Sequence, residues 1–186
     1  MYDTNQFRKG LKVEIDGEPY IMTDCQFVKP GKGNAFTRTK LKSLISGNVL
    51  DRTYKTGERL DKANLEEMTM QFLYEDADGH HFMDTTTFEQ VVISAKNLGD
   101  QKLYLMPEIE VEVLFHNNIP ISIELPNFVV MAIAHTEPAV KGDTATGATK
   151  DATLVTGLVV KVPLFVSGDE KLKVDTRTGE YVERVK

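Results

Sequence analysis

Alternating apolar and polar positions, typical of half-buried β-strands, recur along the whole chain. The clearest run covers residues 108–115, in which four apolar side chains alternate with glutamates. Turn signals such as Asp16-Gly17 and Asn117-Asn118 separate these runs at short intervals. The pattern predicts an all-β protein with short antiparallel strands, each packed on one face and solvated on the other.

The spacing of the turns predicts three small β-barrel domains of about 60 residues each. We place them at residues 1–64, 65–126 and 127–186. The polar segment 55–64 is the expected link between the first two, and Pro126-Asn127 marks the second boundary. A closed barrel of five strands is the natural form at this length.

One helix is expected in the middle domain. The threonines at 85–87 offer an N-cap, Glu89 places an acid in the first turn, and Gly99 would close the helix after Leu98. In the last domain the pattern predicts a polar, glycine-rich loop over residues 141–150 and, among other strands, one over 164–166.

The most distinctive turn is Pro30-Gly31-Lys32-Gly33-Asn34, which lies between strand-like residues 25–28 and 35–41. Proline fixes φ, and the glycines allow the backbone to turn tightly and approach another surface. The stretch predicts a protruding hairpin with Lys32 exposed at its tip. The alternative interpretation is an ordinary flexible turn with a solvated lysine.

Charge is distributed unevenly along the chain, whose formal net charge is −6. Residues 1–64 carry a balance of +4, residues 65–126 carry −10, and residues 127–186 are balanced. No acid occurs in residues 25–50, where five basic residues cluster: Lys29, Lys32, Arg38, Lys40 and Lys42. The positive field of this region favours binding of a polyanion such as RNA. The alternative interpretation is a basic face that is only solvated.

Cysteine use and hydropathy indicate a cellular compartment. Cys25 is the only cysteine, so an intramolecular disulfide is excluded and a reducing compartment is expected. The longest apolar run, residues 128–134, is far too short for a membrane span. We expect a cytoplasmic protein that does not contact membranes.

Motifs for catalysis are weak. No serine lies in a Gly-x-Ser-x-Gly context, and Gly31-Lys32-Gly33 lacks the remaining residues of a phosphate-binding P-loop. His80 and His81 are adjacent, so on a strand they would point to opposite faces. A small metal-dependent hydrolase that uses these histidines and the acidic middle domain stays open as an alternative. RNA binding by a basic hairpin that carries Phe27 and Phe36 fits the pattern better.

Three stretches together resemble the elongation factor P family of bacteria over the whole length of the chain. The first is residues 27–33 around Lys32 with 35–36, and the second is residues 141–144. The third comprises residues 156–157, 160–166 and 174–182, the last of which reads Val174-Asp175-Thr176-Arg177-Thr178-Gly179-Glu180-Tyr181-Val182. The resemblance implies an SH3-like (KOW-like) first barrel and two OB-folds in an L-shaped, tRNA-like molecule. It also implies a monomeric factor, not an enzyme, without cofactor or metal.

The family resemblance also implies partners. Such a factor binds the ribosome between the peptidyl and exit sites and promotes peptide-bond formation at consecutive prolines. Lys32 matches a lysine to which a lysyl-tRNA synthetase paralogue attaches β-lysine, alone or with a later hydroxylation. The hairpin residues expected to contact peptidyl-tRNA are Lys29, Pro30, Gly31, Lys32, Gly33, Arg38 and Lys40. Residues Gly142, Asp143 and Thr144 match a loop associated with mRNA in the exit site.

Two features of the last domain depart from the family pattern. Asp151 stands where proline is common, and Gly168 lies one residue early in a turn. The alternative within the binding class is an OB-fold RNA-binding module that works without a modified lysine.

Overall fold

The fold consists of three antiparallel sheets, each built from a continuous part of the chain. The structure, a computed structural model, describes residues 1–139 and 147–185. Neighbouring strands in all three sheets are antiparallel. Along most strands, apolar side chains on a buried face alternate with polar side chains on a solvated face. The predicted all-β class is confirmed.

The first sheet spans residues 2–62 and is ordered β1-β6-β2-β3-β4-β5. Its strands are β1 (Tyr2–Asp3), β2 (Lys12–Ile15), β3 (Glu18–Val28), β4 (Phe36–Ser43), β5 (Val49–Lys55) and β6 (Arg59–Lys62). Val13, Met22 and Leu41 are fully buried at its centre. The core of this sheet contains no residue beyond Leu60.

Strand β6 corrects the expectation that residues 55–64 form a link. It pairs with β1 and β2, and Leu60 adds its side chain to the first core. One large apolar residue, Leu60, in a polar stretch was too weak a signal for a strand. The connection to the second sheet is therefore only residues 63–65.

The second sheet is ordered β11-β10-β7-β8-β9. Its strands are β7 (Glu66–Glu75), β8 (His80–Met83), β9 (Gln90–Ile93), β10 (Glu110–His116) and β11 (Ile119–Glu124). The alternation predicted for residues 108–115 is confirmed at Val111 and Val113, which are buried, and at Glu110, which is exposed. It breaks at Leu114, which is buried, because the pairing with β11 shifts register between Leu114 and Phe115.

The helix expected up to Leu98 is mostly wrong. Residues 90–93 form strand β9, because their β-branched side chains pair with β8 and bury Ile93. The helix α1 covers only Ala95–Leu98, and its N-cap is Ser94, whose hydroxyl accepts a hydrogen bond from Asn97 N. Gly99 ends it at φ 55°, as predicted, and a 3₁₀ turn follows over Gly99–Tyr104.

The third sheet is ordered β14-β13-β12-β15-β16. Its strands are β12 (Phe128–Thr136), β13 (Thr149–Leu154), β14 (Val159–Pro163), β15 (Lys171–Asp175) and β16 (Glu180–Val185). In both this sheet and the second, the first strand lies in the centre, with the second and third strands on one side and the fourth and fifth on the other. The shared order is that of a five-stranded OB-fold.

Details of the third sheet differ from the sequence-based expectation. Residues 164–166 form a turn rather than a strand, in which Val166 N donates to Pro163 O and the Val166 side chain is buried. Asp151 lies on β13 opposite Lys161 and pairs with it at 2.7 Å. Gly168 lies in a turn that is held by Ser167 N donating to a Glu170 carboxylate oxygen.

The second and third sheets share apolar packing. Ile109 and Leu125 pack against both cores, and Tyr104 is buried within the third core. Gly179, at φ 75°, lies against the Tyr104 ring, since a Cβ there would be 3.1 Å from the phenol oxygen. Burial raises the pKa of the Tyr104 phenol.

Two hydrogen bonds add to this junction. Thr156 Oγ1 donates to Leu103 O at 2.5 Å, and Thr176 Oγ1 donates to Pro126 O at 2.6 Å. The second and third sheets are therefore joined through a continuous apolar and hydrogen-bonded interface. In the part of the chain that the structure describes, no helix is long and apolar enough to cross a membrane.

Candidate functional site

The hairpin around Lys32 is the candidate site. Strands β3 and β4 pair in register up to Val28 opposite Phe36, and residues 29–35 form the loop beyond them. Lys29 and the four residues 31–34 are exposed. The sequence-based prediction of a strand–loop–strand hairpin with Lys32 exposed is confirmed.

The two glycines of the loop play different parts. Gly33 has φ 108°, a conformation that residues with a Cβ rarely adopt. Gly31 does not have a positive φ, and a Cβ built there would meet no atom within 4 Å. Gly33 therefore shapes the turn, whereas the backbone conformation at residue 31 does not require glycine.

Arg38 is an exposed basic residue of β4 that can meet an anion beside the loop. It lies on the solvated face of β4, where its cross-strand neighbours Gln26 and Thr53 are uncharged. Its guanidinium lies 5.5 Å from the centre of the Phe36 ring. Phe27, which is 62% exposed, pairs with Thr37 and therefore lies on the other face of the hairpin. A cation stacked on an aromatic ring suits RNA backbones and bases.

Lys40 has acidic neighbours that the sequence pattern conceals. Its cross-strand partners are Asp24 on β3 and Asp51 on β5. These aspartates bound the acid-free stretch 25–50 in sequence, but strand pairing places them beside Lys40. The positive field at the site is therefore strongest towards the loop and weak around Lys40.

The residues predicted to contact tRNA all lie on the hairpin. Lys29, Pro30, Gly31, Lys32 and Gly33 share the loop, with Arg38 and Lys40 on β4 below it. The predicted mRNA loop, which comprises Gly142, Asp143 and Thr144, lies outside the described residues.

The paired histidines make separate contacts. His80 is buried, with Nε2 2.9 Å from a Glu75 carboxylate oxygen, whereas His81 Nε2 lies 2.9 Å from Asp76. Neither nitrogen makes a well-directed hydrogen bond in these contacts. The His81 ring stacks on Tyr74 at 4.4 Å. Within residues 1–139 and 147–185, no three His, Cys, Asp or Glu side chains are grouped to hold a metal ion.

Sequence reasoning missed Lys12. Its side chain reaches from β2 to Glu67 on β7 and Glu124 on β11. Glu124 is 112 residues away in sequence, so no local pattern could have indicated the pair.

The family models that match this chain all describe domains of elongation factor P. Models of three families match: the elongation factor P KOW-like domain over residues 3–60, the elongation factor P OB domain over 65–123, and elongation factor P, C-terminal, over 129–184. A solved structure titled eukaryotic translation initiation factor 5A, from Methanococcus jannaschii, aligns at TM-score 0.46 and 24% identity, covering 61% of this chain and 84% of that one.

Curated relatives match from end to end. Elongation factor P of Bdellovibrio bacteriovorus is 49% identical over 185 residues, covering 100% of this chain and 98% of the relative. Elongation factor P of Natranaerobius thermophilus is 50% identical over 186 residues, covering 100% of this chain and 99% of the relative. With three family models in chain order and full-length relatives at this identity, the chain belongs to the elongation factor P family of translation elongation factors.

Proposed function

We propose that the protein binds the ribosome between the peptidyl and exit sites and positions peptidyl-tRNA for peptide transfer at consecutive prolines. The observation that carries this proposal is the exposed Lys32 at the tip of a hairpin whose β4 strand presents Arg38. Membership of the elongation factor P family supports action in translation. The protein acts in the cytoplasm as a monomer.

Proline reacts poorly in peptide transfer because its ring restricts the backbone and its nitrogen is secondary. Holding reactants in register can lower a barrier by about 7 to 11 kcal/mol in favourable cases. A factor that only holds the peptidyl-tRNA in position can therefore restore the rate without supplying a catalytic group. On this basis the protein is a positioning factor and not an enzyme.

Lys32 carries the extension that reaches the acceptor end of the tRNA. A lysyl-tRNA synthetase paralogue attaches β-lysine through an amide bond to Nζ, alone or with a later hydroxylation. The extension replaces one ammonium group by two and lengthens the side chain, so more donors reach phosphate and sugar oxygens. The exposure of Lys32 leaves room for the modifying enzyme.

The remaining site residues contribute contacts that do not depend on sequence. Lys29 and Arg38 meet tRNA phosphates, and the glycines allow close approach of the loop backbone. Gly142, Asp143 and Thr144 contact mRNA in the exit site. The second sheet belongs to the acidic part of the chain, which repels RNA, and acts as a spacer.

Substitution of Lys32 tests the proposal. Lys32→Ala and Lys32→Arg should both fold and both lose relief of stalling in a translation assay with a consecutive-proline reporter, because arginine keeps the charge but cannot receive the acyl group. Lys62→Arg, an exposed lysine on β6 of the same sheet, is the matched control and should retain activity. Intact mass spectrometry of protein from its native host should show a lysyl addition that Lys32→Arg lacks.

A second candidate is an RNA-binding module that needs no modification. The Arg38–Phe36 stack favours it, since this contact suits RNA in the unmodified chain. It predicts near-normal activity for Lys32→Arg. Full activity of that variant would rule out the modified-lysine mechanism and support the module.

A further inference from the structure

The two connections between neighbouring sheets are equally short, but the sheets that they join pack against each other differently. For this comparison, residues 2–62 are called the arm and residues 66–185 the body. Residues 63–65 connect the arm to the body, and residues 125–127 connect the two sheets within the body. Within the body, shared apolar side chains fix the angle between the sheets. The core of the arm shares no residue with the cores of the body.

Lys12 lies where the arm meets the body. Its backbone O accepts a hydrogen bond at 3.4 Å from the N of Ala63, the first residue of the connection. Its side chain pairs with Glu124 of β11 and has its Nζ 4.0 Å from Glu67 of β7. Lys12 thus contacts the connection through its backbone and the strands beyond it through its side chain.

The surroundings of Lys12 leave part of the junction open. A cleft of about 780 Å³ lies there, lined by polar residues such as Lys9 and Gln101 and by apolar residues such as Ile21 and Leu114. Close packing fixes geometry in protein interiors, and an open cleft of this size leaves part of the junction without such packing. Among the described residues, Lys12 makes the only ion pairs that join a strand of the arm to a strand of the body.

We propose that Lys12 is a positioning residue, whose ion pairs with Glu124 and Glu67 set the angle of the arm and hence the place of Lys32 relative to the body. The Lys12 side chain is 20% exposed, so salt screens these pairs in part and widens the range of angles at high ionic strength. The importance of the angle for translation rests on the function proposed above. The geometry itself does not.

The angle can be measured with two spin labels. In a Cys25→Ser background, cysteines at Asn34 in the loop and Lys161 on β14 report the distance from the tip of the arm to the body. Lys12→Met keeps the aliphatic stem and removes the charge, and should broaden the distance distribution. Lys9→Met removes a lysine that lines the same cleft, is exposed and makes no ion pair within the described residues; it should not change the distribution.

Charge exchange separates positioning from structural support. Lys12→Glu alone should broaden the distribution, and Lys12→Glu with Glu124→Lys should narrow it again. The thermal midpoint should change little in Lys12→Met, because the glutamate partners are about half exposed and such pairs contribute little to stability. Lys12→Glu places a third carboxylate beside Glu67 and Glu124, so it should lower the midpoint, and Glu124→Lys should restore part of the loss. An unchanged distribution in Lys12→Met, equal broadening in Lys9→Met, or failure of the exchange to restore it would each overturn the proposal.

The proline-stalling assay then connects angle to function. Lys12→Met should lower relief of stalling although Lys32 carries its modification, which intact mass confirms. A broadened distance distribution together with undiminished relief of stalling would overturn the link between arm angle and translation. The proposed function fails on a different result, namely full activity of Lys32→Arg.

Discussion

At the scale of single residues, Arg38 and Lys40 have the same charge on the same strand face but different neighbours. Two aspartates flank Lys40 across the strands, whereas the neighbours of Arg38 are uncharged. Part of the charge of Lys40 is therefore already balanced within the protein, and that of Arg38 remains available to a ligand.

Arg38→Gln should therefore weaken ribosome binding more than Lys40→Gln. If Arg38 meets one phosphate, its loss should lower the slope of log affinity against log salt by about 0.7 to 0.9. Binding titrations over a range of salt concentrations measure both effects. Equal losses in the two variants would show that Asp24 and Asp51 do not reduce the contribution of Lys40.

Asp175 gives a pH-dependent contribution to stability. Arg177 donates through Nε at 3.0 Å and Nη2 at 2.7 Å, and these bonds hold the pKa of Asp175 below its usual value. A lowered folded-state pKa stabilises the protein above the usual aspartate range, and the contribution is lost as the pH falls through the lowered value.

Asp175→Asn should therefore reduce the free energy of unfolding near neutral pH, and the difference from the natural chain should shrink in acid. Urea unfolding at a series of pH values measures it. Asp61→Asn, at an exposed position of β6, is the control and should show a smaller difference. A difference for Asp175→Asn that stays constant with pH would contradict the assigned cause.

At the scale of elements, the shape of the hairpin depends on Gly33. Alanine at this position would be held at φ 108°, which costs on the order of 1 to 3 kcal/mol for residues other than glycine. Gly33→Ala should therefore change the loop conformation, whereas Gly31→Ala, with open space and no positive φ, should not. Amide chemical shifts of residues 28–36 provide the measurement. Large shifts in both variants, or in neither, would contradict it.

The elements that sequence could predict are those whose signal is local. The hairpin strands and the alternation around Val111 follow from side-chain patterns within a few residues. Strands β6 and β9 were missed, because pairing with distant strands decides their conformation. For the same reason, the position of Asp24 and Asp51 beside Lys40 could not be predicted from the sequence. The domain boundaries after residues 64 and 126 stay a prediction.

At the scale of the whole molecule, the second and third sheets depend on each other through Tyr104. Tyr104→Ala should cost about 3 to 5 kcal/mol, because it removes a buried aromatic side chain from the third core. Tyr74→Ala is the control, since this ring is 51% exposed and its stacking on His81 contributes at most about 1.5 kcal/mol. Chemical denaturation compares the two. A similar cost for both variants would contradict the contribution assigned to Tyr104 in the third core.

The burial of Tyr104 also has a consequence for how the protein is made. The first sheet uses only residues 2–62 and can fold as soon as they leave the ribosome. Tyr104 and the apolar side chains around Leu125 emerge before β12–β16, which cover them. During synthesis the nascent chain therefore exposes this apolar surface until β12–β16 have emerged. In that interval, chaperone binding or misassembly competes with completion of the fold.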